Sequence, residues 1–183
     1  MLTKKRLFRV FDDTLSESDA FRDQISFLQR FYEVELISAG FWRLYWSLRK
    51  KQPFIFHSHT HRHELQVMIA AYLARVPIRL HTVNDYLPRD RYGKVSRWRV
   101  WRLRILCLLS TEVYPKNRDI KFELMEKRIA RRVFKVLPDV LDNGVDQKGD
   151  GSSSAVRNQV LEDLLVVYKK FERNRLLKLW AKH

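Results

Sequence analysis

Residues 53–85 run PFIFHSHTHRHELQVMIAAYLARVPIRLHTVND, two β-rich segments on either side of an apolar helix. Phe54-Ile55-Phe56 begins a strand, because aromatic and β-branched side chains suit a pleated sheet better than a helical turn. Glu64 to Arg75 (ELQVMIAAYLAR) is a strongly apolar helix. Val76-Pro77 ends it, since the proline ring blocks a further helical turn, and Ile78 to Val83 (IRLHTV) is the next strand. Two strands joined by a helical crossover pair in parallel.

The same alternation extends in both directions. Leu7 to Phe11 (LFRVF) is a first strand closed by Asp12-Asp13. Ser16 or Ser18 caps a helix with Phe21, Ile25 and Leu28 on one stripe. Val34 to Ile37 is a second strand, and Phe41 to Lys51 is a basic, tryptophan-rich helix stopped by Pro53. Downstream come a long helix from Ser96 to Leu109, a short strand near Thr111 to Tyr114, a helix from Ile120 to Arg132, and a strand at Phe134 to Leu137. A Gly/Ser stretch over 147–155 precedes an amphipathic helix from Val156 to Trp180. The pattern predicts one α/β domain over 1–146, a Rossmann-like doubly wound parallel sheet, with the C-terminal helix of 156–183 packing back on it. Ligands of such sheets bind beyond the carboxyl ends of the strands.

Composition narrows the function without choosing it. With 183 residues and 45% hydrophobic content the chain builds one real core. Thirty-six Lys and Arg against 21 Asp and Glu give a formal net charge of +15. That favours anionic partners: nucleic acid, anionic lipid or phosphorylated ligands. The single cysteine, Cys107, excludes an internal disulfide and sits among apolar residues as packing, not as a nucleophile. The start of the chain carries no signal-peptide pattern, and no window approaches the ~18 consecutive apolar residues of a membrane span. A cytoplasmic protein, or one peripheral on the inner membrane face, is expected.

Several segments in order resemble glycosyltransferase family 4. Gln52 to Thr60 (QPFIFHSHT) is similar to the family's "pDvvHaHt" strand, Ala74-Arg75-Val76-Pro77 to the end of its following helix, and Arg79 to Val83 (RLHTV) to its "vvhTvHG" strand. Phe21 to Leu28, Leu109 to Tyr114 and Asp142 to Asp146 take the places of further family segments, so the likeness spans roughly residues 5 to 146. The resemblance implies the acceptor-side half of a GT-B enzyme, of the kind that builds lipid-linked saccharides. Its acceptor is a lipid-linked sugar, and its donor a nucleotide sugar held mainly by the other half. Only 37 residues (183 − 146) follow Asp146, so transfer calls for a donor half on a partner chain. No cofactor is implied. Asn84 and Asp85 stand where the family's "TvHG" has histidine and glycine, and imidazole proton transfer is lost with that change.

From these readings come the candidate residues. Asp85 and Asn84 are the catalytic candidates, with Asp12, Asp13 and Asp90 as other possible bases. His57, His59, Thr60 and Thr82 line the substrate cleft, and Arg62 and Arg89, with Arg91, supply charge for a diphosphate. His57, His59, His61 and His63 alternate, so in extended chain all point to one side. That arrangement suits cleft lining, and less readily a metal site, for which no cysteine is near. In Arg97 to Arg104 (RWRVWRLR), Trp98, Trp101, Ile105 and Leu108 share a helical face flanked by Arg97 and Arg104. Either the tryptophans are core, or this helix lies on an anionic membrane. The same mixture suits single-stranded nucleic acid, although no nucleic-acid-binding signature accompanies it. A non-catalytic truncated remnant or accessory that binds membrane or a partner transferase is the alternative to an enzyme.

Overall fold

In the computed structural model, the chain folds into a five-stranded parallel sheet of order β2-β1-β3-β4-β5. The residues described are 4–10, 19–37, 40–59, 63–83, 87, 95–129, 159 and 161–173. In sequence order the elements are β1 (Lys5–Val10), α1 (Asp19–Gln29), β2 (Tyr32–Ile37), α2 (Phe41–Lys51), β3 (Ile55–Ser58), α3 (Glu64–Leu73), β4 (Ile78–Val83), α4 (Arg97–Leu109), β5 (Glu112–Pro115) and α5 (Arg118–Glu126). A last helix, α6, covers 161–173. This is the Rossmann-like α/β architecture that the alternation predicts.

A central parallel strand is buried on both faces, and β1 obeys this: Leu7, Phe8, Arg9 and Val10 are all inaccessible. Side-chain alternation sorts the core into two layers. Leu7, Ile55, Ile78 and Leu80 pack with Leu28 of α1 and with Leu164, Val167 and Tyr168 of α6. Phe8, Val10 and Phe56 pack on the other face with Leu44 and Leu48 of α2 and Val67, Met68, Ala70 and Ala71 of α3. That layer continues under α4 and α5, where Val83 and Val113 meet Leu103, Leu106, Ile120 and Leu124.

Local chemistry sets the ends. α2 stops at Gln52: its amide still bonds the Leu48 carbonyl, but its left-handed conformation (φ 44°) turns the chain out of the helix just before Pro53. At the start of α5, Asn117 Oδ1 accepts from the Ile120 amide at 2.8 Å. α2 and β4 fall on the expected bounds and most other elements within a few residues of them, but α5 ends at Glu126, six residues before the expected Arg132, where Lys127 caps it and Arg128 takes a positive φ of 51°. β2 starts two residues earlier than expected, at Tyr32, whose ring is buried edge-on against Tyr168 of α6 at 5.7 Å. The expected strand at 134–137, the Gly/Ser stretch of 147–155 and both ends of the last helix lie outside the described residues.

Candidate functional site

The order β2-β1-β3-β4-β5 reverses direction between β1 and β3. The chain leaves β1 for β2 on one side and returns to place β3 on the other. At such a switch the connections diverge to opposite faces of the sheet and open a crevice at the carboxyl ends. β1, β3 and β4 bring their carboxyl ends together here. Arg9 pairs with His57, Val10 with Ser58, and Ser58 with His81. The His59 amide prolongs the β1 ladder, donating to the Val10 carbonyl at 2.9 Å.

On the α6 face of this rim, four side chains from the sheet converge with one from α6. A guanidinium nitrogen of Arg9 donates to His59 Nε2 at 2.7 Å. Arginine has no acceptor, so His59 Nε2 accepts and the neutral ring carries its proton on Nδ1. The His57 ring lies against that of His59, tilted by 39° with centroids 4.0 Å apart. His57 Nδ1 shares a hydrogen bond with the Tyr168 hydroxyl at 2.6 Å, and its Nε2 one with Thr82 Oγ1 at 2.9 Å. Hydroxyls both donate and accept, so a neutral His57 is satisfied at both nitrogens.

The site is dry. Arg9 is 0% exposed, His57 1% and His59 6%. Burial, reinforced by the Arg9 charge, holds both imidazoles well below the ordinary histidine range. Burial likewise pushes the Tyr168 hydroxyl up to about 12. In the folded protein the histidines are therefore neutral at pH 7.

This has a signed consequence. Above pH ~6.5 both histidines are neutral whether the chain is folded or not. Below it the unfolded chain takes up two protons that the folded chain refuses, so stability falls with falling pH. The slope is up to about 1.4 kcal/mol per pH unit for each histidine. Urea-unfolding midpoints should drop steeply between pH 7 and pH 5, and His59→Gln, which keeps an acceptor for Arg9, should roughly halve that slope. A midpoint flat across this range in the parent protein would show that the two rings are not held neutral.

Opposite this cluster, His81 and Glu64 meet on the α3 face. Glu64, at the first turn of α3, lies 3.2 Å from Arg99 of α4 and 3.9 Å from His81. The carboxylate is buried, with its anionic end at a helix N-terminus, where the peptide dipoles favour it. Farther along the rim, the Leu87 amide donates to the buried Glu123 carboxylate of α5 at 2.9 Å. That bond ties the chain after β4 to α5.

The candidates from the sequence are distributed as follows. His57, His59 and Thr82 are brought together as the alternation implied, but as an internally bonded cluster beneath Tyr168. Asn84, Asp85, Thr60, Arg62 and Arg89, with Asp12, Asp13, Asp90, Arg91 and His61, lie outside the described residues. His63 is exposed and pairs with Gln66 at 3.1 Å. No group of three or more metal-ligating side chains occurs among the described residues. Trp98 and Trp101 are not core: they are 63% and 49% exposed and stack on each other at 4.8 Å. Arg97 and Arg104 beside them are exposed as well. Cys107 packs against the α4–α5 core, and burial with the nearby Glu64 charge pushes its thiol up to about 12.

Sequence reasoning missed Arg9 and Tyr168. Arg9 carried a usable signal, since a charged residue inside LFRVF in a central parallel strand must be buried. A recess of about 380 Å³ lined by Arg49, Gln52, Arg75 and Pro77 lies at the amino end of the sheet, away from this rim. Among the described residues no helix is long and apolar enough to cross a membrane. Comparison of the chain with family models, with curated proteins and with solved structures gives no match.

Proposed function

We propose that the described domain is the acceptor-binding half of a glycosyltransferase acting on a lipid-linked saccharide. The observation that carries the reading is the meeting of the HSH and HTV segments at one sheet rim, joined by the His57–Thr82 bond. A β1/β3 switch point beside it is where an α/β sheet takes its ligand. On this reading the buried Arg9–His59–His57–Tyr168 array positions the rim. Contact with substrate falls on residues that follow it in sequence: Thr60 and Arg62 after β3, and Asn84, Asp85 and Arg89 after β4. The acceptor hydroxyl attacks the anomeric carbon of the donor sugar, its proton passes to Asp85, and the nucleoside diphosphate leaves. Asn84 orients the acceptor, and the arginines stabilise diphosphate charge.

The neutral, doubly bonded state of His57 favours binding over proton transfer at the described part of the rim. The second reading follows from it: an accessory chain that holds the acceptor, or a partner transferase, without turnover. Equilibrium binding of a polyprenyl-diphosphate-linked monosaccharide, together with radiolabelled nucleotide-sugar transfer, tests both. Acceptor binding that weakens about tenfold in Arg89→Gln, with transfer to the bound acceptor once a donor-binding half is present, is expected. Binding without any transfer points to the accessory role. No acceptor binding by folded protein removes both.

A further inference from the structure

We propose that the outer surface of the α2–α3–α4 layer docks flat on an anionic lipid bilayer. This assignment stands apart from acceptor binding and does not need it.

Exposed aromatic surface is concentrated on this face. Trp42 and Trp46 of α2 are 69% and 63% exposed, comparable to Trp98 and Trp101 of α4. α3 lies between these helices and shows Tyr72 and Leu73 at its outer side, and Leu108 of α4 is 81% exposed. Indoles prefer the boundary between water and hydrocarbon, where the ring is sheltered and the N–H stays bonded.

Charge on the same face has one sign. α2 (FWRLYWSLRKK) and α4 (RWRVWRLRILCLL) carry four basic residues each and no acidic one. The one carboxylate of α3, Glu64, is buried against Arg99. Lys51 is turned to Glu35 of β2. Arg43, Arg49, Lys50, Arg97 and Arg104 remain as exposed cations on the two helices. Cations interleaved with indoles and exposed leucine match an anionic headgroup layer above hydrocarbon. A nucleic-acid backbone would satisfy the arginines but leave Leu73 and Leu108 in water.

The geometry also gives an orientation. Helices of a βαβ unit run antiparallel to the strands, so α2 and α4 begin at the carboxyl end of the sheet. Trp42 and Trp98 each stand in the first turn of their helix. Trp42 and Trp98 therefore flank the carboxyl rim, and docking leaves that rim open along the edge of the contact, next to the headgroups.

Co-sedimentation of the full chain with phosphatidylglycerol–phosphatidylcholine vesicles, and with phosphatidylcholine alone, tests the assignment. Binding to the anionic vesicles only, weakening with added salt, is expected. Arg43→Gln with Arg97→Gln should lower the partition about twenty-five-fold, at about fivefold per cation. Trp42→Ala with Trp98→Ala should release the protein at salt concentrations the parent withstands. All four sites are exposed, and an unchanged urea midpoint in each variant verifies that the fold is intact. Three results would overturn the proposal: no sedimentation with anionic vesicles at low salt, full binding by both variants, or binding to single-stranded oligonucleotide in place of vesicles. A dimer in sedimentation velocity that is abolished by the tryptophan variant would also overturn it, since the face would then be a protein interface.

Discussion

Tyr168→Ala should lower the unfolding free energy by about 4–5 kcal/mol, measured by urea titration at pH 7.5. Removing a fully buried aromatic ring costs about 3–5 kcal/mol through lost transfer energy and the cavity left behind. The Tyr168 ring is 0% exposed and meets Tyr32 and His57 edge-on, both at 5.7 Å. The hydroxyl adds a separate contribution. Without it, His57 Nδ1 is left in a dry site with no substitute among the side chains described around it, worth about 1 kcal/mol or more. Tyr168→Phe isolates that second effect and should cost about 1–1.5 kcal/mol. Small domains hold only about 5–15 kcal/mol in all, so the alanine variant is expected to be partly unfolded at 37 °C. A loss under 1 kcal/mol would mean that α6 does not dock on the sheet.

Arg99→Ala is the second large effect, expected at about 3 kcal/mol. It removes the nearest described cation from the buried Glu64 carboxylate. Breaking a buried ion pair by removing one member costs about 3–5 kcal/mol where the other charge is left uncompensated, and His81, 3.9 Å from the carboxylate, keeps Glu64 from being wholly stranded. Arg99 is itself 20% exposed, which lets water reach part of the gap and places the effect at the lower end. The pair as a whole is a different matter. Replacing buried ions by apolar groups is often neutral, so Glu64→Leu with Arg99→Leu should recover most of the stability lost in Arg99→Ala. A double variant as unstable as the single one would assign the loss to packing between α3 and α4 and not to charge.

The fold was legible where local chemistry punctuates the chain. Gly40 and Pro53 bracket α2, and Val76-Pro77 separates α3 from β4, so those elements lie where the residues put them. The alternating histidines also foretold that His57 and His59 share a side. What they face was not legible, because Tyr168 reaches His57 across 111 residues of sequence. Nothing local to HSHTH marks that partner. For α4 the helical period separated Leu103 and Leu106 from Trp98 and Trp101, but not which stripe turns inward. The register of β4 and β5 beneath it decides that, by placing Val83 and Val113 under the leucines. Arg9 was overlooked because it sits in a basic N-terminal run, where charge ordinarily means solvent.

The late position of α6 in the chain governs how the protein is made. Until residue 168 leaves the ribosome, Leu7, Ile55 and Leu80 have only α1 over that face, and His57 has no hydroxyl at Nδ1. The nascent sheet therefore waits for α6 with part of this apolar surface uncovered. Chains that expose such surface for long aggregate unless shielded, so newly made protein should depend on chaperone cover until α6 docks.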